Sequence, residues 1–187
     1  MTLPHRKWQQ ISKEPVLQNP WYKMSRDSYV LPTGATGVYT YVDIPGSTMV
    51  VPRLDDGRFV LVRQFRYLFQ RTSLEFPAGG LKEGIEALAN ARAELREEGG
   101  YVARDWQRIG QFAPYNGVSN EYCQVFLATG LERVEAAPEE TEEIEVVPLA
   151  IAELRREIAS GAVWDGMTIS ALALYDALHS ATSRAEE

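Results

Sequence analysis

Residues 79–101 of the 187-residue chain read GGLKEGIEALANARAELREEGGY. The part from 86 to 98 contains no Gly, Pro or β-branched residue, which favours a helix, and the two glycines that follow favour its end. Glu94, Glu97 and Glu98 are spaced three and four residues apart, so one face of this helix carries all three carboxylates. The sequence therefore predicts a concentrated negative charge at the end of a helix.

That position is unfavourable for acidic residues unless something compensates. The C-terminal end of a helix carries a partial negative charge, and each acidic residue there costs about 0.3–1 kcal/mol. Three carboxylates without His or Cys suit a hard divalent cation, Mg²⁺ or Mn²⁺. The alternative is a solvated acidic helix end in which Arg92 and Arg96 are the local partners. The spacing by itself does not separate these two interpretations.

The same stretch resembles the Nudix box, G-x5-E-x7-R-E-U-x-E-E-x-G-U, where U is a bulky apolar residue. Its matching positions are Gly79, Glu94, Leu95, Glu97, Glu98, Gly100 and Tyr101. Two positions depart, since Ile85 stands where the family has Glu and Ala93 stands where it has Arg. The family's Glu and Arg can pair, so losing both together leaves no unpaired charge behind.

Segments outside the box extend the resemblance over nearly the whole chain, to the ADP-ribose pyrophosphatase branch of the family. They are LVRQFR (61–66), LEFPAGG (74–80), APYNGVSNE (113–121), EETEEIEVV (139–147) and GAVWDGMTISALALY (161–175). The resemblance implies Mg²⁺-dependent hydrolysis of the pyrophosphate bond of ADP-ribose or a related nucleotide sugar. The products would be a nucleoside monophosphate and a sugar phosphate. Metal ions would neutralise the pyrophosphate and activate a water molecule.

Position in the box implies the metal ligands. They are Glu94, Glu97 and Glu98, of which Glu98 is also expected to be catalytic, with the backbone carbonyl of Ala78 as a further ligand. Mg²⁺ is the expected metal, and Mn²⁺ is a possible substitute.

A loop well after the box supplies a further glutamate in this branch, as a general base or a ligand. EETEEIEVV matches that loop, with Glu142 as the first candidate for a ligand and Glu140 for the base. A carboxylate can take a proton from a metal-bound water because the metal lowers the pKa of that water. The alternative is a solvated acidic loop before a strand.

Four residues are candidates for contacts with the substrate. Arg63 and Arg66 are three residues apart on one predicted strand, so they do not share a face of it. Arg66 is favoured for phosphate or ribose from its place in RQFR, with a surface arginine as the alternative. Glu75 either lines the site or pairs structurally. Trp21 offers a flat apolar wall for adenine, or else a core or interface contact.

Short Val- and Tyr-rich runs broken by Gly and Pro predict many strands beside three helices. Besides 86–98, helices are expected at 151–160, ended by Gly161, and at about 167–181, capped by Asp165. This pattern predicts a layered α/β (α+β) domain. The resemblance makes it a Nudix-like mixed β-sheet sandwiched between helices, preceded by an N-terminal antiparallel β extension.

The expected domains are this extension, residues 1–45, and a Nudix hydrolase domain, residues 46–187. In the ADP-ribose branch such extensions often join two subunits, so the resemblance implies a homodimer. The other expected partner is a small-molecule nucleoside diphosphate derivative.

Composition narrows the partners further. With 19 Lys and Arg against 26 Asp and Glu, the net charge of −7 gives no broad attraction to nucleic acid or anionic membranes. One cysteine, Cys123, and two histidines exclude an intramolecular disulfide and a Cys- or His-rich metal site. There is no run of about 18 apolar residues and no signal-like start, so a cytoplasmic location is expected.

Two other functions compete with the hydrolase. A non-catalytic nucleotide-binding or regulatory protein on a Nudix fold is favoured by Ile85 and Ala93. The three intact box glutamates count against it, because a pure binding protein does not need three acids at a helix end. An interaction module without a small-molecule site leaves those acids unexplained. Within the hydrolase class, GDP-mannose and NADH are alternative substrates.

Overall fold

The computed structural model describes residues 7–19, 22–136 and 143–185. These residues contain ten β-strands, three α-helices and one 3₁₀ turn. The strands are β1 (Gln9–Gln18), β2 (Lys23–Val30), β3 (Thr36–Asp43), β4 (Ser47–Pro52), β5 (Phe59–Arg66), β6 (Arg71–Glu75), β7 (Ala78–Gly80), β8 (Tyr101–Phe112), β9 (Cys123–Arg133) and β10 (Ile144–Leu149). The helices are α1 (Ala87–Glu97), α2 (Ile151–Ser160) and α3 (Gly166–Ala185), and the 3₁₀ turn is Tyr67–Phe69. None of the described helices is long and apolar enough to span a membrane.

The chain divides into two units. The N-terminal unit takes residues 1–45 together with 115–121, and the main unit takes 46–114 and 122–187. The segment 115–121 belongs to the N-terminal unit although it lies far along the sequence. The assignment of separate functional domains to 1–45 and 46–187 stays a prediction.

The N-terminal unit is an antiparallel sheet in the order β1-β2-β3. The sequence does not predict β1 as a strand, because it contains Pro15 and few β-branched residues. Proline lacks the N–H that a ladder needs, and it is tolerated in a strand only at an edge or a bulge. In the structure β1 is an edge strand whose register shifts between Pro15 and Leu17, which satisfies both conditions.

Asp43 is the centre of a polar network in this unit. Its carboxylate lies 2.5 Å from the Lys13 ammonium, accepts a hydrogen bond from the Ser25 hydroxyl at 3.1 Å, and accepts another from the Asn120 amide at 2.6 Å. The hydrogen bond from Lys13 is the main reason that the pKa of Asp43 is lowered below 3.8. In return, the hydrogen bond to Asp43 raises the pKa of Lys13 above 10.5.

Replacing Asp43 with Asn is expected to lower the free energy of unfolding by about 0.5–1 kcal/mol at neutral pH, a small effect because Lys13 is half exposed. A carboxylate whose pKa is lowered by folding stabilises the fold above its unfolded value, and that contribution is lost as the pH falls through the folded value. The difference between wild type and Asp43→Asn should therefore shrink below pH 3.8. Urea unfolding at neutral and acid pH measures it, and an equal difference at both would contradict the assignment.

The main unit contains a four-stranded sheet, β7-β4-β9-β8, and a three-stranded sheet, β10-β5-β6. The pair β4 and β9 is parallel and the other pairs are antiparallel, so the four-stranded sheet is mixed. Every residue of β4 is buried, which fits its interior position in the sheet and its apolar residues Met49, Val50 and Val51.

Helices pack on both faces of β4. Successive side chains of a strand point to opposite faces. Val50 therefore packs with Ala91 and Leu95 of α1, whereas Met49 and Val51 belong to the larger core that includes residues of α2 and α3. The predicted α+β layering, with a mixed sheet between helices, is confirmed.

The helix ends agree with their sequence signals. Helix α2 is capped at its C-terminal end by Gly161, which adopts a left-handed conformation with φ 77°. At the start of α3 the Asp165 carboxylate accepts a hydrogen bond from the Thr168 N–H at 2.7 Å, as expected for a capping residue. Predicted and observed bounds differ by one residue at each end of α1, and α3 continues four residues beyond the predicted end.

Candidate active site

Glu98 is a buried carboxylate at the end of α1. It is only 5% exposed, and its Oε2 accepts a hydrogen bond from the Ala78 N–H at 2.9 Å. Ala78 is the first residue of β7, directly after Pro77, so sheet and helix meet at this point. The side chain of Glu98, the predicted catalytic glutamate, thus contacts the backbone of Ala78, whose carbonyl is the further predicted ligand.

Glu94 lies one turn earlier on α1 and is pressed against Gly79. A Cβ at position 79 would overlap the Glu94 carboxylate, so only glycine leaves this space to the acid. Asn90 is buried beside them, and its amide donates to Thr48 Oγ1 at 2.9 Å and approaches Gly79 O at 3.4 Å and Glu94 Oε1 at 3.5 Å. Asn90 was not predicted as a site residue from the sequence. Its signal was a polar residue four positions before Glu94 on a helix otherwise rich in Ala and Leu.

Replacing Gly79 with Ala is expected to displace the Glu94 carboxylate and, with Glu94 as the predicted metal ligand, to lower the predicted hydrolytic activity about 10–100-fold, because a metal site responds to small displacements of its ligands. The fold should be retained, because Gly79 does not have a positive φ and the overlap is with the flexible end of a side chain. Steady-state kinetics with a thermal melt measures both quantities. The matched control is Gly80→Ala, where an added Cβ meets no atom. Activity within about twofold of wild type would contradict the expected displacement.

The three box glutamates do not form a ready-made cluster. Glu97 is exposed, and within residues 7–19, 22–136 and 143–185 no three acidic, His or Cys side chains are grouped closely enough to hold a metal ion. Like charges repel, and Glu94 and Glu98 are each placed against backbone of residues 78–79 instead. Their oxygen donors suit a hard divalent cation. The ligand set stays a prediction.

Arg66 of β5 and Glu75 of β6 form an ion pair. Glu75 is 3% exposed, and its carboxylate accepts one hydrogen bond from Arg66 Nε at 2.8 Å and a second from Arg66 Nη2. The hydrogen bond to Glu75 raises the pKa of Arg66, and the charges of Asp165 and Glu98 raise it further. Glu75 is thus structurally paired, the second of the two roles considered for it. Substrate binding by Arg66 and Glu75 stays a prediction.

Arg63 lies on the other face of β5, as the spacing predicts. Its cross-strand neighbours are Leu74 and Glu145, and its guanidinium contacts the Glu145 carboxylate at 2.5 Å. A cavity of about 300 Å³ adjoins this pair and is lined by Arg63, Gln64, Phe65, Thr72, Glu143, Ile144 and Glu145. Arg63 and Arg66 therefore lie on different faces of β5.

Backbone hydrogen bonds hold the segments that contain the two departures from the Nudix box, Ile85 and Ala93. Ile85 is 49% exposed, and its N–H donates to Lys82 O at 3.1 Å. Leu81 donates to Gly46 O at 2.9 Å. Ala93 is half-buried on α1. The loop before α1 is thus closed by backbone hydrogen bonds at the place where the family pattern has a charge pair.

Three predicted residues, Trp21, Glu140 and Glu142, lie outside the described residues. Their roles in stacking, base catalysis and metal binding stay predictions. Cys123 is fully buried on β9, in agreement with its interpretation as a small apolar residue.

The NUDIX domain family model matches residues 44–164. The chain is 33% identical over 164 residues to the ADP-ribose pyrophosphatase of Bacillus subtilis (strain 168), which covers 87% of this chain and 89% of that protein. It is 29% identical over 164 residues to the methanol dehydrogenase activator of Bacillus methanolicus, with the same shares of 87% and 89%.

A crystal structure of an ADP compounds hydrolase superposes with a TM-score of 0.79 over 96% of this chain and 97% of that one. At 19% identity this likeness supports the fold alone, and it confirms the predicted Nudix-like fold. The family model spans well over half of the chain and includes both sides of the site around Glu98. The chain therefore belongs to the NUDIX domain family, as a Nudix hydrolase that resembles the ADP-ribose pyrophosphatase branch.

Proposed function

We propose that the chain hydrolyses the pyrophosphate bond of ADP-ribose or a related nucleotide sugar, giving a nucleoside monophosphate and a sugar phosphate. The observation that carries the proposal is the Glu98 carboxylate, buried at a helix end and held by the Ala78 N–H, with Glu94 one turn away. The similarity to the Bacillus subtilis ADP-ribose pyrophosphatase supports this choice of substrate class.

Mg²⁺ is the proposed cofactor, with Mn²⁺ as a substitute. Glu94, Glu97, Glu98 and the Ala78 carbonyl would hold it. When bound, the metal neutralises the pyrophosphate and lowers the pKa of a bound water. The buried position of Glu98 supports this assignment, because a carboxylate there gains more from a nearby cation than an exposed one does.

The remaining roles follow from charge and position. Glu142 or Glu140 would accept the proton of the attacking water, and Trp21 would stack on the base. Arg66, held in place by Glu75, would face the phosphates. An arginine that is already oriented loses little conformational freedom when it binds a phosphate.

The test is hydrolysis of ADP-ribose by the purified chain with and without Mg²⁺, beside GDP-mannose, NADH and other nucleoside diphosphate derivatives. We expect metal-dependent release of AMP from ADP-ribose. A different preferred diphosphate would change the substrate and keep the reaction. If no diphosphate were turned over with Mg²⁺ or Mn²⁺, the reaction would be rejected, and the departures at Ile85 and Ala93 would favour a nucleotide-binding or regulatory protein.

A homodimer joined through the N-terminal unit is part of the proposal. Among the described residues of that unit only Ser25 is buried, whereas Trp8, Ile11 and Val38 are 57%, 59% and 60% exposed. A three-stranded sheet that buries no apolar side chain of its own has little to stabilise it, and its exposed apolar side chains are candidates for an interface. We propose that a second copy of the chain covers these exposed apolar side chains.

Light scattering after gel filtration is expected to give about twice the 21.0 kDa mass of one chain. Val38→Asp should shift the protein toward a single chain, because it places a charge on the exposed apolar sheet. A wild-type mass of 21.0 kDa at every concentration would contradict the dimer. The cytoplasmic location stays a prediction.

A further inference from the structure

Residues 76–78, which join β6 to the start of β7, form hydrogen bonds to three different elements. The Phe76 N–H donates to Thr168 Oγ1 of α3 at 3.0 Å. Pro77 O accepts from the Val50 N–H of β4 at 2.9 Å, and the Ala78 N–H donates to Glu98 at the end of α1 at 2.9 Å. The Ala78 N–H and the Pro77 carbonyl belong to one planar peptide, so that peptide is held from both sides.

The Thr168 hydroxyl supplies the acceptor that the Phe76 N–H needs at the start of this segment. The start of a helix presents N–H donors, and the Phe76 N–H that faces α3 is also a donor. Two donors cannot bond to each other, so a side-chain oxygen has to lie between them. Thr168 supplies it from a position that is 0% exposed, while its own N–H is taken by Asp165 at 2.7 Å.

The hydrogen bond at the Phe76 N–H can influence the orientation of the Ala78 peptide, because few free backbone rotations lie between them. Proline fixes its own φ, and it also restricts the ψ of the residue before it. Of the backbone rotations between the Phe76 N–H and the Ala78 N–H, Pro77 therefore removes one and narrows another. The Phe76 side chain is fully buried in the core, which limits the rest.

We infer that Thr168 is a positioning residue of the active site, whose hydroxyl sets the orientation of the Ala78 peptide against Glu98. This inference rests on the proposed metal site only for its consequence in catalysis. The structural part concerns the hydrogen bonds of residues 76–78 to Thr168, Val50 and Glu98 and requires no metal. The contact joins residues 92 positions apart in sequence, so no local pattern could have indicated it.

Two substitutions at one position separate the hydroxyl from the packing. Thr168→Val keeps the branched shape and removes the acceptor, whereas Thr168→Ser keeps the acceptor and removes a methyl group. Val163→Ala is the control for lost stability, because Val163 is buried in the same core and is not part of the hydrogen bonds described above. The readouts are Mn²⁺ affinity by electron paramagnetic resonance, hydrogen exchange of the Ala78 amide, and kcat and KM.

For Thr168→Val we expect the dissociation constant for Mn²⁺ to rise about tenfold and kcat to fall about tenfold, with KM changed less than about twofold, as when an outer partner of a metal ligand is lost. Exchange of the Ala78 amide should accelerate. Thr168→Ser should stay within about threefold of wild type in each quantity. Val163→Ala should melt at a lower temperature and keep the wild-type Mn²⁺ affinity.

Wild-type Mn²⁺ affinity and wild-type Ala78 exchange in Thr168→Val would overturn the inference. Equal losses in Thr168→Ser and Thr168→Val would overturn it as well, because the hydroxyl would then not be responsible. Failure of the proposed function gives a different result: the wild type binds Mn²⁺ and hydrolyses no diphosphate. In that case the affinity and exchange measurements still decide the role of Thr168.

Discussion

Replacing Glu98 with Gln is expected to lower kcat for ADP-ribose hydrolysis by about 10³-fold or more, equivalent to about 4 kcal/mol of transition-state stabilisation. The substitution removes the charge of a 5%-exposed side chain, where an electrostatic interaction is screened little by water. Gln keeps an oxygen that can accept the Ala78 N–H, so the hydrogen bond at 2.9 Å and the end of α1 should persist.

Steady-state kinetics together with thermal unfolding checks this expectation. The matched control is Glu132→Gln, which removes one charge from an exposed position on β9 and should leave kcat unchanged. A Glu98→Gln protein that retains more than a tenth of the wild-type kcat would show that Glu98 is not an essential metal ligand. A protein that loses both activity and fold would instead assign Glu98 a mainly structural role.

Replacing Arg66 with Ala is expected to lower the free energy of unfolding by about 2–3 kcal/mol. The change removes two hydrogen bonds from the carboxylate of Glu75, which is 3% exposed. Breaking a fully buried ion pair by removing one partner costs about 3–5 kcal/mol. The value here is lower because the Arg66 side chain is 44% exposed, so water can reach part of the space that it leaves.

A double-mutant cycle with Glu75→Gln isolates the pair. Once position 75 is neutral, Arg66→Ala should cost less, with a coupling energy of about 1–3 kcal/mol. Arg63→Ala is the control, because its pair with Glu145 is exposed on both sides and should contribute at most about 1 kcal/mol. Additive effects of Arg66→Ala and Glu75→Gln in urea unfolding would mean that the two side chains do not stabilise each other.

Local chemistry explains why the helices could be predicted from the sequence. The end of α2 follows from Gly161 and the start of α3 from Asp165, because each acts on backbone groups within a few residues of itself. The β1 strand could not be predicted in this way. Its place at the edge of the sheet depends on pairing with β2, and the local signals at Pro15 oppose a strand.

The candidate site likewise has features that could be predicted from the sequence and features that could not. The spacing of Glu94, Glu97 and Glu98 was enough to place them on one face at the end of α1, because helix geometry is local. It could not show that Glu97 is exposed while Glu98 is buried. That difference depends on which side of α1 packs against the sheet.

The sequence by itself determined the family, the ends of the helices and the acidic face of α1, since all three are read from residues close together in the chain. Only the tertiary structure decided which groups those acids and their neighbours meet. Ala78 reaches Glu98 across 20 residues and Phe76 reaches Thr168 across 92. Such contacts arise where a sheet and two helices converge, and a hydrogen bond over that distance depends on the packing of all three.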